Sequence, residues 1–192
     1  MDKYEFFRVD YVESGLPRWL IEVAFACGML SAVFNYSPVM VWLEANAPWL
    51  QATVQTVGPV IMYYGLLRGM KPLYRPLTAW WWMIIVVNVA GFPSMLFPEA
   101  FKEVGLAVAV SLLLVYLPLG CAIMFSYRGR LQQVGIWMML YILIMMIVPV
   151  LYYLIYTTDS WIGTLMLEVP TVGVGAIYAW MLRRVLVRQR QP

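Results

Sequence analysis

Long apolar runs, each closed by a short cluster of polar, proline or glycine residues, divide the chain into six stretches of helical length: residues 18–43, 49–68, 77–97, 103–127, 131–157 and 160–186. A hydrocarbon core about 30 Å thick takes roughly 20 helical residues to cross, and each stretch is long enough. Backbone amides in lipid must be satisfied within the element, and the alternating pattern of a membrane β-barrel is absent. The pattern therefore predicts an all-α, polytopic integral membrane protein. Residues 18–186 form one bundle of about six transmembrane helices, preceded by a short cytoplasmic or interfacial segment at 1–17 and followed by a basic tail at 187–192.

Composition strengthens this reading. Of 192 residues, 63% are hydrophobic and 12% charged, and the mean hydropathy is +0.76, more apolar surface than a soluble domain can bury. The net charge of +3 matters less than its placement. Arg68, Lys71 and Arg75, then Arg128 and Arg130, then Arg183, Arg184, Arg188 and Arg190 fall in alternate connections and at the end. The other connections hold Glu44, then Glu99, Lys102 and Glu103, then Asp159. The positive-inside rule then places both termini in the cytoplasm, in what reads as a bacterial inner membrane. The basic residues make no nucleic-acid-binding patch. Residues 1–17 lack the layout of a cleaved leader, so the first span is expected to stay as an anchor. Phe6, Phe7, Val9, Tyr11 and Val12, mixed with acids, suggest a piece lying in the membrane interface or touching a partner. Trp80, Trp81 and Trp82 are expected in an aromatic belt.

Against this apolar background a few polar positions stand out. Ionisable groups inside a bilayer are costly and tend to face protein or water. Glu22, one turn after Arg18, has a ready i,i+4 partner. Glu168 lies deeper, with Thr164, Thr171 and Gly175 on its helical face. Other stripes run through Gly28, Ser31, Asn35 and Pro38; through Gln51, Gln55, Gly58 and Met62; and through Trp81, Asn88 and Gly91. Counted from the outer ends of their helices, Asn35, Gln55, Asn88 and Glu168 lie roughly 9–15 Å deep at 1.5 Å per residue. A shared outward-facing site would satisfy all four, and interhelical hydrogen bonding is the competing explanation. The binding residues expected from this layer are Glu168, Asn88, Asn35, Gln55, Thr164 and Thr171. Pro38, Pro59, Pro118, Pro149 and Pro170 are expected to kink or interrupt helices and free backbone carbonyls. Ala24, Gly28 and Ala32 form a small-residue series suited to close helix packing or to contact with a partner.

The chain has no histidine, which removes Ser-His and Cys-His triads and the usual zinc and haem ligation. Phosphate loops and paired intramembrane acids are missing as well. Cys27 and Cys121, inside apolar runs, suggest no structural disulfide, and Met138, Met139, Met145 and Met146 read as adaptable filler or lipid-facing surface. No metal or cofactor is expected, and no catalytic residue is assigned. Six helices, this length and the Ala24, Gly28, Ala32 series resemble the substrate-binding subunits of energy-coupling-factor vitamin transporters. That resemblance implies a first helix that contacts a membrane partner through small residues. The leading expectation is a protein that binds or conducts a small solute or ion through the polar layer. A non-catalytic subunit or oligomeric membrane effector is the alternative, and an isomerase or cyclase acting on a lipid or prenyl substrate through Glu168 is a third.

Overall fold

The computed structural model describes residues 7–70, 75–97, 99–155 and 161–187, with some side chains inside helices left undescribed. Among the described residues seven helices carry the fold: α1 (Arg18–Phe34), α2 (Ser37–Asn46), α3 (Pro48–Met70), α4 (Arg75–Leu96), α5 (Lys102–Ser126), α6 (Arg130–Ile155) and α7 (Trp161–Leu186). Two strands, β1 (Phe7–Arg8) and β2 (Tyr127–Arg128), form a two-residue parallel pair. The protein is mostly helical, and among the described residues three helices are long and apolar enough to cross a membrane. A fourth span is added if α1 and α2 count together. The helix α3 falls outside that set because Gln51, Thr53, Gln55 and Thr56 interrupt its apolar run, and Gln51 and Thr56 are buried inside the protein.

The helix expected at 18–43 is two helices, bent by 108°. Pro38 supplies the cause. It has no N–H to give and its ring disfavours helical backbone in the residue before it, so α1 ends at Phe34, with the Asn35 N–H closing onto Ala32 and Val33 carbonyls. Pro38 then sits in the first turn of α2, where its missing donor costs nothing. Pro59, Pro118 and Pro170, expected to kink or interrupt, lie within continuous helices, as does Pro149 in the backbone of α6.

The six long helices pack as a ring. In chain order α1 meets α3, α3 meets α4, α4 meets α5, α5 meets α6, α6 meets α7, and α7 closes back on α1. Glycines set the tightest crossings. A Cβ on Gly58 of α3 would lie 2.7 Å from Cys27 Cβ and 2.9 Å from the Ala24 carbonyl oxygen of α1. On the other side of α1, Gly28 faces Ala179 and Ala32 faces Gly175 of α7. The small series of α1 is thus occupied by its own neighbours in the chain. Gly135 makes the same close approach between α6 and α5, with backbone atoms of Met124 and Gly120 under 3 Å from its missing Cβ.

One end of the ring is densely filled. The fully buried Leu66, Met70, Trp81, Ile84, Leu119, Ile123, Leu131, Met138 and Leu186 fill it. Across it runs an extended strap, residues 7–17. The Val9 N–H bonds the Arg128 carbonyl and the Leu131 N–H bonds the Val9 carbonyl, while the Val12 N–H reaches the Val185 carbonyl at 2.9 Å. Asp10 accepts from the Arg130 N–H and from the Arg8 guanidinium. Partial burial pushes the Asp10 carboxyl up, but these two donors and the charges of Arg8 and Arg130 outweigh it and hold it below its ordinary 3.8. Gly69 leaves room for Val12 and Glu13, and Gly15, at φ +66, turns the strap beside the Arg68 guanidinium. The segment expected to lie in the interface or touch a partner is extended, with Val12 and Ser14 buried against the helices and Tyr11 and Glu13 exposed. This is the strap end, and the α1–α2 bend marks the elbow end.

Candidate functional site: a cavity inside the helical ring

A ring of helices filled at one end leaves space at the other. A partly open cavity of about 360 Å³ occupies the centre, and every one of the six long helices contributes to its wall. The volume lies in the lower part of the range, about 300–1,000 Å³, typical of small-molecule sites. Ser31 and Asn35 come from α1, Gln55 and Pro59 from α3, Asn88 and Met95 from α4, Leu112 and Leu113 from α5, Tyr141, Met145 and Met146 from α6, and Gly175 and Tyr178 from α7.

Tyrosines form the floor toward the strap end. The Tyr63 and Tyr116 hydroxyls lie 2.7 Å apart, and the Tyr178 hydroxyl donates to Tyr63 at 3.2 Å, a fully satisfied buried trio linking α3, α5 and α7. Their rings are also in contact: Tyr63 meets Tyr116 edge-on at 6.0 Å, and Tyr178 stacks on Tyr141 at 5.7 Å. Below them Trp81 is fully buried and its ring lies 5.9 Å from that of Tyr63. This residue belongs to the core and not to the aromatic belt expected for it, whereas Trp82 is exposed.

The amides line the wall above that floor. Asn88 donates to the Ile84 carbonyl at 2.7 Å, one turn back on its own helix, and also pairs with the Tyr116 hydroxyl. Asn35 pairs with Tyr141. Gln55 makes no hydrogen bond to another side chain among the described residues, and Pro59, four residues on, lacks the N–H that would occupy the Gln55 backbone carbonyl. Three of the four polar side chains expected to share a layer, Asn35, Gln55 and Asn88, therefore meet at one cavity.

Glu168 does not join them. It is 6% exposed and Thr171 is 5% exposed, each with an interaction of its own in the protein. Gly175, the third member of that helical face, is the one that reaches the cavity. Depth along a helix placed Glu168 near the layer, but seven residues separate it from Gly175, about 10 Å of rise toward the elbow end. The Thr164 side chain lies outside the described residues. Among the described residues, no side chain lining the cavity carries a formal charge.

The charges gather elsewhere. Glu22 accepts two short hydrogen bonds from Arg183, 2.6 and 2.7 Å, and lies 3.7 Å from Arg18. The i,i+4 pair with Arg18 was legible in the sequence, but the stronger bidentate partner, 161 residues away on α7, was not. This clasp joins α1 to α7 at the strap end, with the Arg183 guanidinium also 5.3 Å from the Phe25 ring. The four cavity tyrosines and the methionines Met95, Met145 and Met146 are the site residues that the sequence pattern missed. Tyrosine at mid-helix on four separate helices was the available signal. The two cysteines are free, and Cys121 contacts the Met139 sulfur at 3.7 Å. No family model, curated protein or solved structure matches this chain.

Proposed function

We propose that the chain is a six-helix membrane protein that binds a small solute in the cavity at the centre of its ring and takes part in moving that solute across the membrane. One observation carries the reading: a cavity walled by all six long helices, with Asn35, Gln55 and Asn88 converging on it. Packing alone would favour filling that space, since protein interiors are dense and voids are costly. The basic residues support an orientation with the strap end and both termini cytoplasmic, which suits a bacterial inner membrane and would leave the cavity reached from outside. An acid-base enzyme working through Glu168 would need that carboxyl in the cavity wall. A solute-binding role has no such requirement.

The test is thermal stability of the purified protein in lipid nanodiscs against a panel of neutral, cationic and anionic small solutes, followed by flux measurements in proteoliposomes. Saturable stabilisation that is lost in Leu113→Trp, a variant that fills the cavity, is the expected result. Stabilisation equal in wild type and in Leu113→Trp would overturn the proposal.

A further inference from the structure

The chemistry of the cavity wall narrows the solute, an inference that rests on the solute-binding reading above. In ring order α1 and α3 stand opposite α5 and α6, and the two sides differ. On the first side are Ser31 and Asn35, one turn apart, and the Gln55 amide beside its own carbonyl, freed by Pro59. On the second side are Leu112, Leu113, Ile142, Met145 and Met146, an apolar surface whose thioethers adapt to irregular shapes, and Tyr141, whose hydroxyl is already paired with Asn35. The floor makes no demand on a ligand, because the Tyr63, Tyr116 and Tyr178 hydroxyls satisfy one another.

A charged ligand would find no counter-charge among the described residues of this wall. The Glu22–Arg183 clasp is already paired beyond the floor, and Glu168 stands about 10 Å along α7 from Gly175 with an interaction of its own. A bare charge in so apolar a site loses its hydration without compensation. Aromatic faces could hold an organic cation, yet Tyr141 and Tyr178 stack on each other and Tyr63 meets Tyr116 edge-on. Those rings do not form an open cage.

We infer that the cavity takes an uncharged amphiphile, its hydrogen-bonding head against Gln55, Ser31 and Asn35 and its branched or unsaturated hydrocarbon body against the leucine and methionine wall of α5 and α6. Gln55 is the residue that selects the head group, since its amide offers both donor and acceptor, makes no hydrogen bond to another side chain among the described residues, and stands beside the backbone carbonyl that Pro59 leaves free.

Three probes in nanodiscs test this by thermal shift: geraniol, geranyl phosphate and tetraethylammonium. Geraniol presents a hydroxyl on a branched unsaturated chain, geranyl phosphate is the same body with a charged head, and tetraethylammonium is an organic cation. Geraniol is expected to stabilise wild type saturably. Gln55→Leu is expected to weaken it about tenfold, the loss of one hydrogen bond, and Leu113→Trp and Met145→Trp to abolish the effect. Geranyl phosphate and tetraethylammonium are expected to give no shift. If either charged probe stabilises the protein and Leu113→Trp or Met145→Trp removes that effect, while geraniol does nothing, the ligand class is wrong but solute binding stands. Equal geraniol affinity in wild type and Gln55→Leu sinks the assignment of the head-group wall. No response to any of the three overturns this ligand class, and the wider panel described above then decides whether the cavity binds a solute at all.

Discussion

Two glycines of the bundle should answer one substitution with opposite signs. At Gly58 an added Cβ would stand 2.7 Å from Cys27 Cβ, 2.9 Å from the Ala24 carbonyl oxygen and 3.1 Å from the Gly28 nitrogen. Two of those three neighbours are backbone, so they cannot rotate away, and α1 must separate from α3. Overpacking a tight contact costs about 1–3 kcal/mol, and alanine recovers up to about 1 kcal/mol of helix propensity. With the backbone unable to yield, the cost falls at the upper end, and Gly58→Ala should lose a net of about 1–2 kcal/mol. For a chain of this length each kcal/mol moves the midpoint by about 2–4 °C, so the expected fall is about 2–8 °C. Gly173 on α7 is the control: it is exposed and a Cβ there meets nothing within 4 Å. Gly173→Ala should gain about 0.5–1 kcal/mol, a rise of a few degrees. The assay is thermal unfolding of both variants in one detergent at one pH, followed by tryptophan fluorescence. A Gly58→Ala protein that melts at or above wild type would refute the close α1–α3 crossing. Two shifts of the same sign would refute the local-space argument behind both.

Four further outcomes follow from the geometry. The Glu22–Arg183 clasp, partly exposed but bidentate, should show a coupling of about 1–2 kcal/mol in a double-mutant cycle with Glu22→Gln and Arg183→Gln, between surface and buried pairs; a coupling indistinguishable from zero would remove it as a tie between α1 and α7. Tyr63→Phe takes away the hydroxyl shared by Tyr116 and Tyr178, and should cost about 1–3 kcal/mol in equilibrium unfolding. Asp10 has a lowered folded value, so its contribution is fully present above the unfolded 3.8 and fades as pH falls below that. The stability gap between wild type and Asp10→Asn should therefore narrow on acidification below 3.8; a gap that widens there would contradict the sign. Gly129, at φ +80 and directly against the Asp10 carboxyl, should lose about 1–2 kcal/mol on Gly129→Ala from backbone strain alone, read as faster proteolysis of the strap.

The long helices were legible because a run of apolar residues ended by polar, proline or glycine residues constrains length directly. Short connections fixed which helices are neighbours along the chain. Rotation about each helix axis was not legible: these helices are apolar on most faces, so no strong polar stripe tells inside from outside. That is why depth alone grouped Asn35, Gln55 and Asn88, which line the cavity, with Glu168, which is not part of that lining. It is also why four tyrosines that converge in space looked like unrelated aromatic residues. Pro38 marks an interruption in the sequence, yet the apolar run continues across it to 43, so hydropathy alone gives one helix where the structure bends by 108°. The strap left a faint trace in the alternation of buried Val12 and Ser14 with exposed Tyr11 and Glu13, too short to separate from a loop.

The strap also imposes an order on assembly. Its anchors are the α5–α6 turn and the Val185 carbonyl near the end of α7, so the segment docks in two stages, Val9 and Asp10 once α6 has begun and Val12 only after α7 has been made. The ring itself closes only when α7 reaches α1. Helices can form and insert in sequence, but the second anchor of the strap and the closure are late, long-range events that depend on the last helix. A chain halted before α7 would hold an open ring and a strap fastened only at the α5–α6 turn, with Val12 lacking the Val185 carbonyl.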